Sequence, residues 1–132
     1  MQTLQGKTAL VTGGSRGIGA AIVRKLAASG ANVALTYRSS DDIAARLVEE
    51  LEGMGIQARA YRADALQPEK LPDVVQAVVE DFGQLDILVN NAGISGGGMI
   101  GEIDYADFRR TMTVNVDAVF VTTQAAVKVM KE

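Results

Sequence analysis

Cysteine and histidine are both absent from the 132 residues. Without thiols there is no disulfide framework, and without thiol or imidazole there is neither a Cys/His zinc site nor a nucleophile of the Ser-His-Asp or Cys-His kind. No apolar run approaches the ~18 continuous residues of a membrane helix, and the N-terminus lacks the basic-then-apolar order of a signal region. A cytoplasmic location is the default expectation. A basic cluster is missing too: 13 basic against 16 acidic residues leave a net charge of −3, which makes nucleic acid and anionic membrane surfaces poor partners. No G-K-[ST] follows the glycine-rich stretch near the N-terminus, which argues against a P-loop NTPase. The first strand-like run ends in Thr12-Gly13 rather than an acidic pair, which argues against a phosphoacceptor signalling domain built around Asp64.

What is present is an ordinary globular composition, 48% apolar and 22% charged, in one domain's length of chain, residues 1–132. The organising stretch is Thr12 to Gly19, TGGSRGIG, after the apolar run Ala9-Leu10-Val11. A strand that stops at Thr12 and a helix that starts near Gly17 leave a tight turn. Unpaired N–H groups and the positive end of the helix dipole make such a turn a place for a phosphate. Gly13, Gly17 and Gly19 then supply the bend, room for phosphates to approach, and close packing of helix on strand. The spacing is G-x-x-x-G-x-G, so the alternative of a plain βα turn is weighed against the context of strand, helix and second strand.

Along the chain the periodicity alternates. Ile18, Ile22 and Leu26 predict one helix face, and Gly30 closes that helix. Asn32 to Tyr37 reads as a strand, and Ser39 or Ser40 is placed to cap a second helix, with Asp41 and Asp42 in its first turn. Ile43, Leu47, Leu51 and Met54 mark its face. A third strand is expected over Gln57 to Ala63, and a third helix face on Leu71, Val75, Val78 and Phe82. Leu85 to Val89 is apolar enough for a strand buried on both faces. After a glycine-rich loop, Asn90 to Gly101, Asp104 is placed to cap a long last helix reaching about Lys131, with Ile103 and Phe108 as a hydrophobic staple. Alternating βα units predict a doubly wound α/β fold with a parallel sheet.

TGGSRGIG at 12–19, NNAG at Asn90 to Gly93 and Asn115 within VNV together resemble the short-chain dehydrogenases/reductases, over essentially the whole chain and about the first half of a family member. Within that family the sequence is most similar to the β-ketoacyl carrier-protein reductases. The resemblance implies a Rossmann-type doubly wound sheet of order 3-2-1-4, truncated after the fourth strand and the long helix that follows it. It also implies that Gly13, Ser15, Arg16, Gly17, Ile18 and Gly19 line the pyrophosphate and adenosine side. Asp64 would touch the adenine edge, and Asn91, Ala92 and Gly93 would lie along the ribose toward nicotinamide. Read from the residues alone, Asp64 equally caps the turn toward Pro68, and Asn90-Asn91 equally satisfy loop backbone groups.

The end of the second strand is where NAD-binding folds place an acid against the ribose 2′-OH. Tyr37 and Arg38 stand there, and an arginine holds a phosphate with paired charge-assisted bonds. With Arg16, this favours NADP(H); Asp41 and Asp42 are the competing candidates for the ribose. The family's chemistry uses a tyrosine, whose phenol of pKa ~10 needs a neighbouring cation, together with a lysine and a serine. No Tyr-x-x-x-Lys occurs: Tyr37, Tyr61 and Tyr105 are followed at that distance by Asp41, Ala65 and Arg109. The chain is therefore expected to end before those residues, with Asn115 the one member of the catalytic set present, or else a mid-helix polar residue facing a neighbouring loop. The expected activity is hydride transfer between NADPH and a ketone resembling a 3-oxoacyl thioester. The alternative is a non-catalytic nucleotide-binding or self-assembling half-fold. A bare fourth strand and the apolar last helix predict a homo-oligomer.

Overall fold

A computed structural model describes residues 2–130. Four parallel strands, β1 (Thr8–Val11), β2 (Asn32–Tyr37), β3 (Ala58–Arg62) and β4 (Ile87–Val89), form one sheet in the order β3-β2-β1-β4. The register runs Val11 opposite Leu35 and Val89, and Leu35 opposite Ala60. The strand order is the one expected, and β2 has its expected bounds.

Helices α1 (Gly17–Ala28) and α2 (Asp41–Glu52) cover one face, where Val11, Val33 and Leu35 meet Ala20, Val23, Ala27, Leu47 and Leu51. Helix α3 (Leu71–Phe82) and the last helical segment cover the other, where Leu10 and Ala34 meet Val75, Val78 and Ala126. β1 is buried throughout; each such Leu or Val contributes roughly 1.5–3 kcal/mol by leaving water. The two faces share no residue, because strand side chains alternate.

Four expectations about the helices need correction. The buried stripe of α1 is Gly19, Ala20, Val23 and Ala27; of the expected face, Ile22 and Leu26 pack against this core half-buried, and Ile18 is 75% exposed. In α2, Ala44 joins Leu47 and Leu51 while Ile43 and Met54 are exposed. Small residues let a helix sit close to a sheet, so the stripe follows the alanines rather than the largest side chains. Ser40 and Asp104 do occupy the N-cap positions, but neither side chain caps its helix. Ile103 and Phe108 are 43% and 47% exposed, so no buried staple forms, and the Phe108 ring stacks on Tyr105 instead.

The last helix is also not uniform. Helix α4 (Tyr105–Met112) passes into a π-helical turn, Thr113–Asp117, and then into α5 (Ala118–Val129). Its expected end at Lys131 lies outside the described residues. β4 is half-buried rather than buried on both faces, as an edge strand must be. Among the described residues no helix is long and apolar enough to cross a membrane, and no three metal-binding side chains cluster.

Candidate functional site

The carboxyl ends of all four strands open into one cleft of about 530 Å³. It lies where β1 separates β2 from β4, the reversal of strand order at which open α/β sheets bind ligands. Thr12, Gly13, Ser15 and Arg16 form its floor, Tyr37, Arg38 and Asp64 one end, and Asn91, Ala92 and Gly93 the opposite wall.

The glycine turn is shaped by sterics on one side and left open on the other. Gly13 has φ 63°, and a Cβ there would stand 3.1 Å from Ala92 Cα. Gly17 has φ 55° with nothing near its would-be Cβ. A side chain at Gly19 would overlap the Gly13 carbonyl oxygen and crowd the Asn91 amide. The close approach to the second strand falls on Gly14, whose would-be Cβ lies 2.8 Å from Leu35 Cβ; the sequence reading gave that residue no role. No side chain caps the first turn of α1, so its amides are left for a ligand, and their geometry and dipole suit an anionic diphosphate. Gly17, Ile18 and Gly19, expected along the pyrophosphate and adenosine side, do not line the cleft.

The loop after β4 is tied to this turn by Thr12. Its Oγ1 accepts from the N–H groups of Asn91 and Ala92, both at 3.1 Å, and its own N–H donates to the Val89 carbonyl at 3.0 Å. Asn91 returns the link, its Nδ2 donating to the carbonyls of Thr12 and Gly13 at 3.1 and 3.0 Å. The Asn91 side chain is thus spent on backbone. Asn90 donates to Thr123 Oγ1 at 3.0 Å. Asn115, inside the π turn, clamps the next residue of the loop from both sides: Oδ1 accepts from the Ile94 N–H at 2.9 Å and Nδ2 donates to the Ile94 carbonyl at 2.7 Å.

At the other end the two arginines have different partners. Arg16 Nη2 donates to Ser40 Oγ at 3.0 Å. Arg38 Nε stands 3.9 Å from Asp64 Oδ2, with its side chain 71% exposed. Asp64 also accepts from the Leu66 N–H at 2.9 Å, so it holds the turn toward Pro68 while facing the cleft. Tyr37 has its hydroxyl pKa raised, first by its hydrogen bond to Asp41 and then by burial. Asp41 and Asp42, the competing candidates for the ribose, do not line the cleft. Thr12, Thr36 and Arg110 also line the cleft and were not singled out from sequence. The two threonines were findable: Val11 pairs with Leu35, so Thr12 and Thr36 follow at the same strand edge.

A parallel sheet wound on both faces, with a ligand-sized cleft at its switch point, defines a Rossmann-type α/β protein. The chain belongs to the short chain dehydrogenase family, whose model matches residues 7–132. An uncharacterized oxidoreductase of Methylorubrum extorquens is 44% identical over 132 residues, which are 100% of this chain and 53% of the relative. A 3-oxoacyl-[acyl-carrier-protein] reductase, FabG, of Staphylococcus epidermidis is 38% identical over 114 residues, 86% of this chain and 47% of the reductase. The solved structure of a short chain dehydrogenase from Burkholderia cenocepacia in complex with NADP is 50% identical, with a TM-score of 0.94, covering 98% of this chain and 53% of that one. The chain thus spans about half the length of the relatives it matches.

Proposed function

We propose that this chain is the NADP(H)-binding part of a ketoreductase, in which a hydride passes between NADPH and a ketone resembling a 3-oxoacyl thioester. The observation that carries the reading is the pair of cations, Arg16 and Arg38, lining a cleft whose floor leads into an uncapped helix start. The first-turn amides of α1 would hold the diphosphate. Arg38, with Arg16, would hold the adenosine 2′-phosphate, and Asp64 would face the adenine edge. The backbone of Ala92 and Gly93 would line the path toward the nicotinamide, with Asn115 fixing the loop through Ile94. Bound NADPH supplies the hydride; the chain's residues supply grip and orientation.

Calorimetric or fluorescence titration of the full chain tests this reading. Charge-assisted bonds of this type are worth about 1.5–3 kcal/mol. NADPH should therefore bind about 10- to 100-fold tighter than NADH, and Arg38→Glu should abolish the preference. Equal affinities, or tighter NADH binding, would overturn it. NADPH oxidation with an acetoacetyl thioester reads the second part: the chain without a Tyr-x-x-x-Lys pair should show no turnover. Self-association belongs to the same proposal, because Phe108, Phe120 and Val127 are 47%, 62% and 62% exposed along α4 and α5 and such faces favour burial. A strictly monomeric sedimentation profile at micromolar concentration would remove it.

A further inference from the structure

We infer that Thr36 is a positioning residue for dinucleotide binding: it fixes the glycine turn from the second strand, so that the amides offered to the diphosphate begin at Ser15. This rests on the cofactor reading above and extends it to a side chain that need not touch the charged groups. Thr36 is 4% exposed and sits between the buried core of β2 and the Tyr37-Arg38 pair. Its Oγ1 accepts from the Gly13 N–H at 3.0 Å, and its carbonyl accepts from the Gly14 N–H at 2.9 Å. Both amides at the bend are thus consumed by one residue of the neighbouring strand.

That pairing does two things. It satisfies two donors that a ligand at the helix start would otherwise leave stranded in a partly buried turn. It also sets the height of the turn above the sheet: Gly13 is pinned to β2 through Thr36, while Thr12, the residue before it, is tied to the loop after β4. With no room for a side chain between Gly14 and Leu35, the turn is held close to β2, and the uncapped amides of α1 keep one direction. A hydroxyl is required because a side-chain acceptor must reach Gly13; valine has the shape of threonine and no acceptor.

The diphosphate is common to both dinucleotides, whereas the 2′-phosphate is not. Thr36→Val should therefore weaken NADPH and NADH by the same factor, about tenfold for a stranded donor, and leave their ratio unchanged. Thr36→Ser, which restores the oxygen, should bind both within about twofold of wild type. Amide hydrogen exchange gives a readout independent of affinity. In the ligand-free wild-type chain the Gly13 amide should be protected, Thr36→Val should remove that protection, and NADPH should add protection at Ser15 to Gly17 rather than at Gly13.

Wild-type binding that Thr36→Val leaves untouched would overturn the inference alone, as would a change in the NADPH to NADH ratio or a Gly13 amide that exchanges freely in wild type. A wild-type chain that binds neither dinucleotide would overturn the cofactor reading and this role together. Should Thr36→Val fail to fold, the comparison passes to wild type and Thr36→Ser: a serine variant that loses affinity while folded would overturn the requirement for the oxygen alone, and protection of Gly13 in both would support it.

Discussion

The two walls of the cleft are held by different physics. The glycine turn is closed from behind by the core: a Cβ at Gly14 would stand 2.8 Å from Leu35 Cβ and 3.2 Å from Val23 Cγ1, and one at Gly19 would overlap the Gly13 carbonyl oxygen. The loop after β4 is fixed by side-chain hydrogen bonds from Thr12, Asn91 and Asn115, and beyond Ile94 residues 95–110 are exposed. The first wall has no room for an added atom at Gly14 or Gly19, and the second depends on the donors and acceptors that hold it. A rigid floor that grips a constant diphosphate, facing a rim held by replaceable bonds, lets one fold keep its cofactor grip while the rim varies.

The largest expected effect therefore comes from filling the first wall. Gly19→Ala drives a methyl into backbone that cannot retreat, and should cost at least the ~1–3 kcal/mol of an overpacked core, read as a lowered unfolding midpoint with loss of NADPH binding. Gly17→Ala sharpens the contrast, since it meets no neighbour. Its cost is the left-handed backbone alone, about 1–2 kcal/mol, so a Gly17→Ala penalty as large as that of Gly19→Ala would contradict the steric account. On the second wall, Asn115→Ala deletes both bonds to Ile94 in an exposed position, for about 1 kcal/mol. Its signature should be faster amide exchange at Ile94 with the glycine turn unchanged.

The smallest effect is a control remote from both walls. Asp81 accepts from the Tyr61 hydroxyl at 2.6 Å and pairs with Arg59 at 2.8 Å. The Tyr61 hydrogen bond, then Arg59, hold its carboxyl below the usual range. Its contribution is present above the unfolded value of ~3.9 and is lost as pH falls through the depressed folded value. Burial, then Asp81, push the Tyr61 phenol up, so that contribution is present below ~10 and is lost as pH rises toward the folded value. Asp81→Asn should flatten the acid limb of stability against pH while leaving dinucleotide affinity alone; an affinity change would mean the walls are not independent of β3.

Much of this was legible in the chain. The alternation of strand and helix patterns sufficed for a doubly wound parallel sheet, because it follows from local periods, whereas the strand order and the cleft's main contributors rested on the family resemblance carried by the glycine turn, NNAG and Asn115. The exposed face of α1 was misassigned, since Ile18 outweighs Ala20 in any hydrophobic period although the alanine is the residue that fits against the sheet. Ser40 and Asp104 looked like caps by type, but in the fold the Ser40 hydroxyl accepts from Arg16 and Asp104 makes no cap bond. Thr36 went unread because its partner, Gly13, is near only after β1 and β2 pair.

The π turn at Thr113–Asp117 accommodates one amino acid more than regular winding would. Were the same residues wound as regular α-helix, everything downstream would be turned by about 100°. Ala118, Thr122 and Ala126, now facing inward, would then swing away from the interior. The irregular coil is what allows one rod to serve the rim with its front and the hydrophobic interior with its rear.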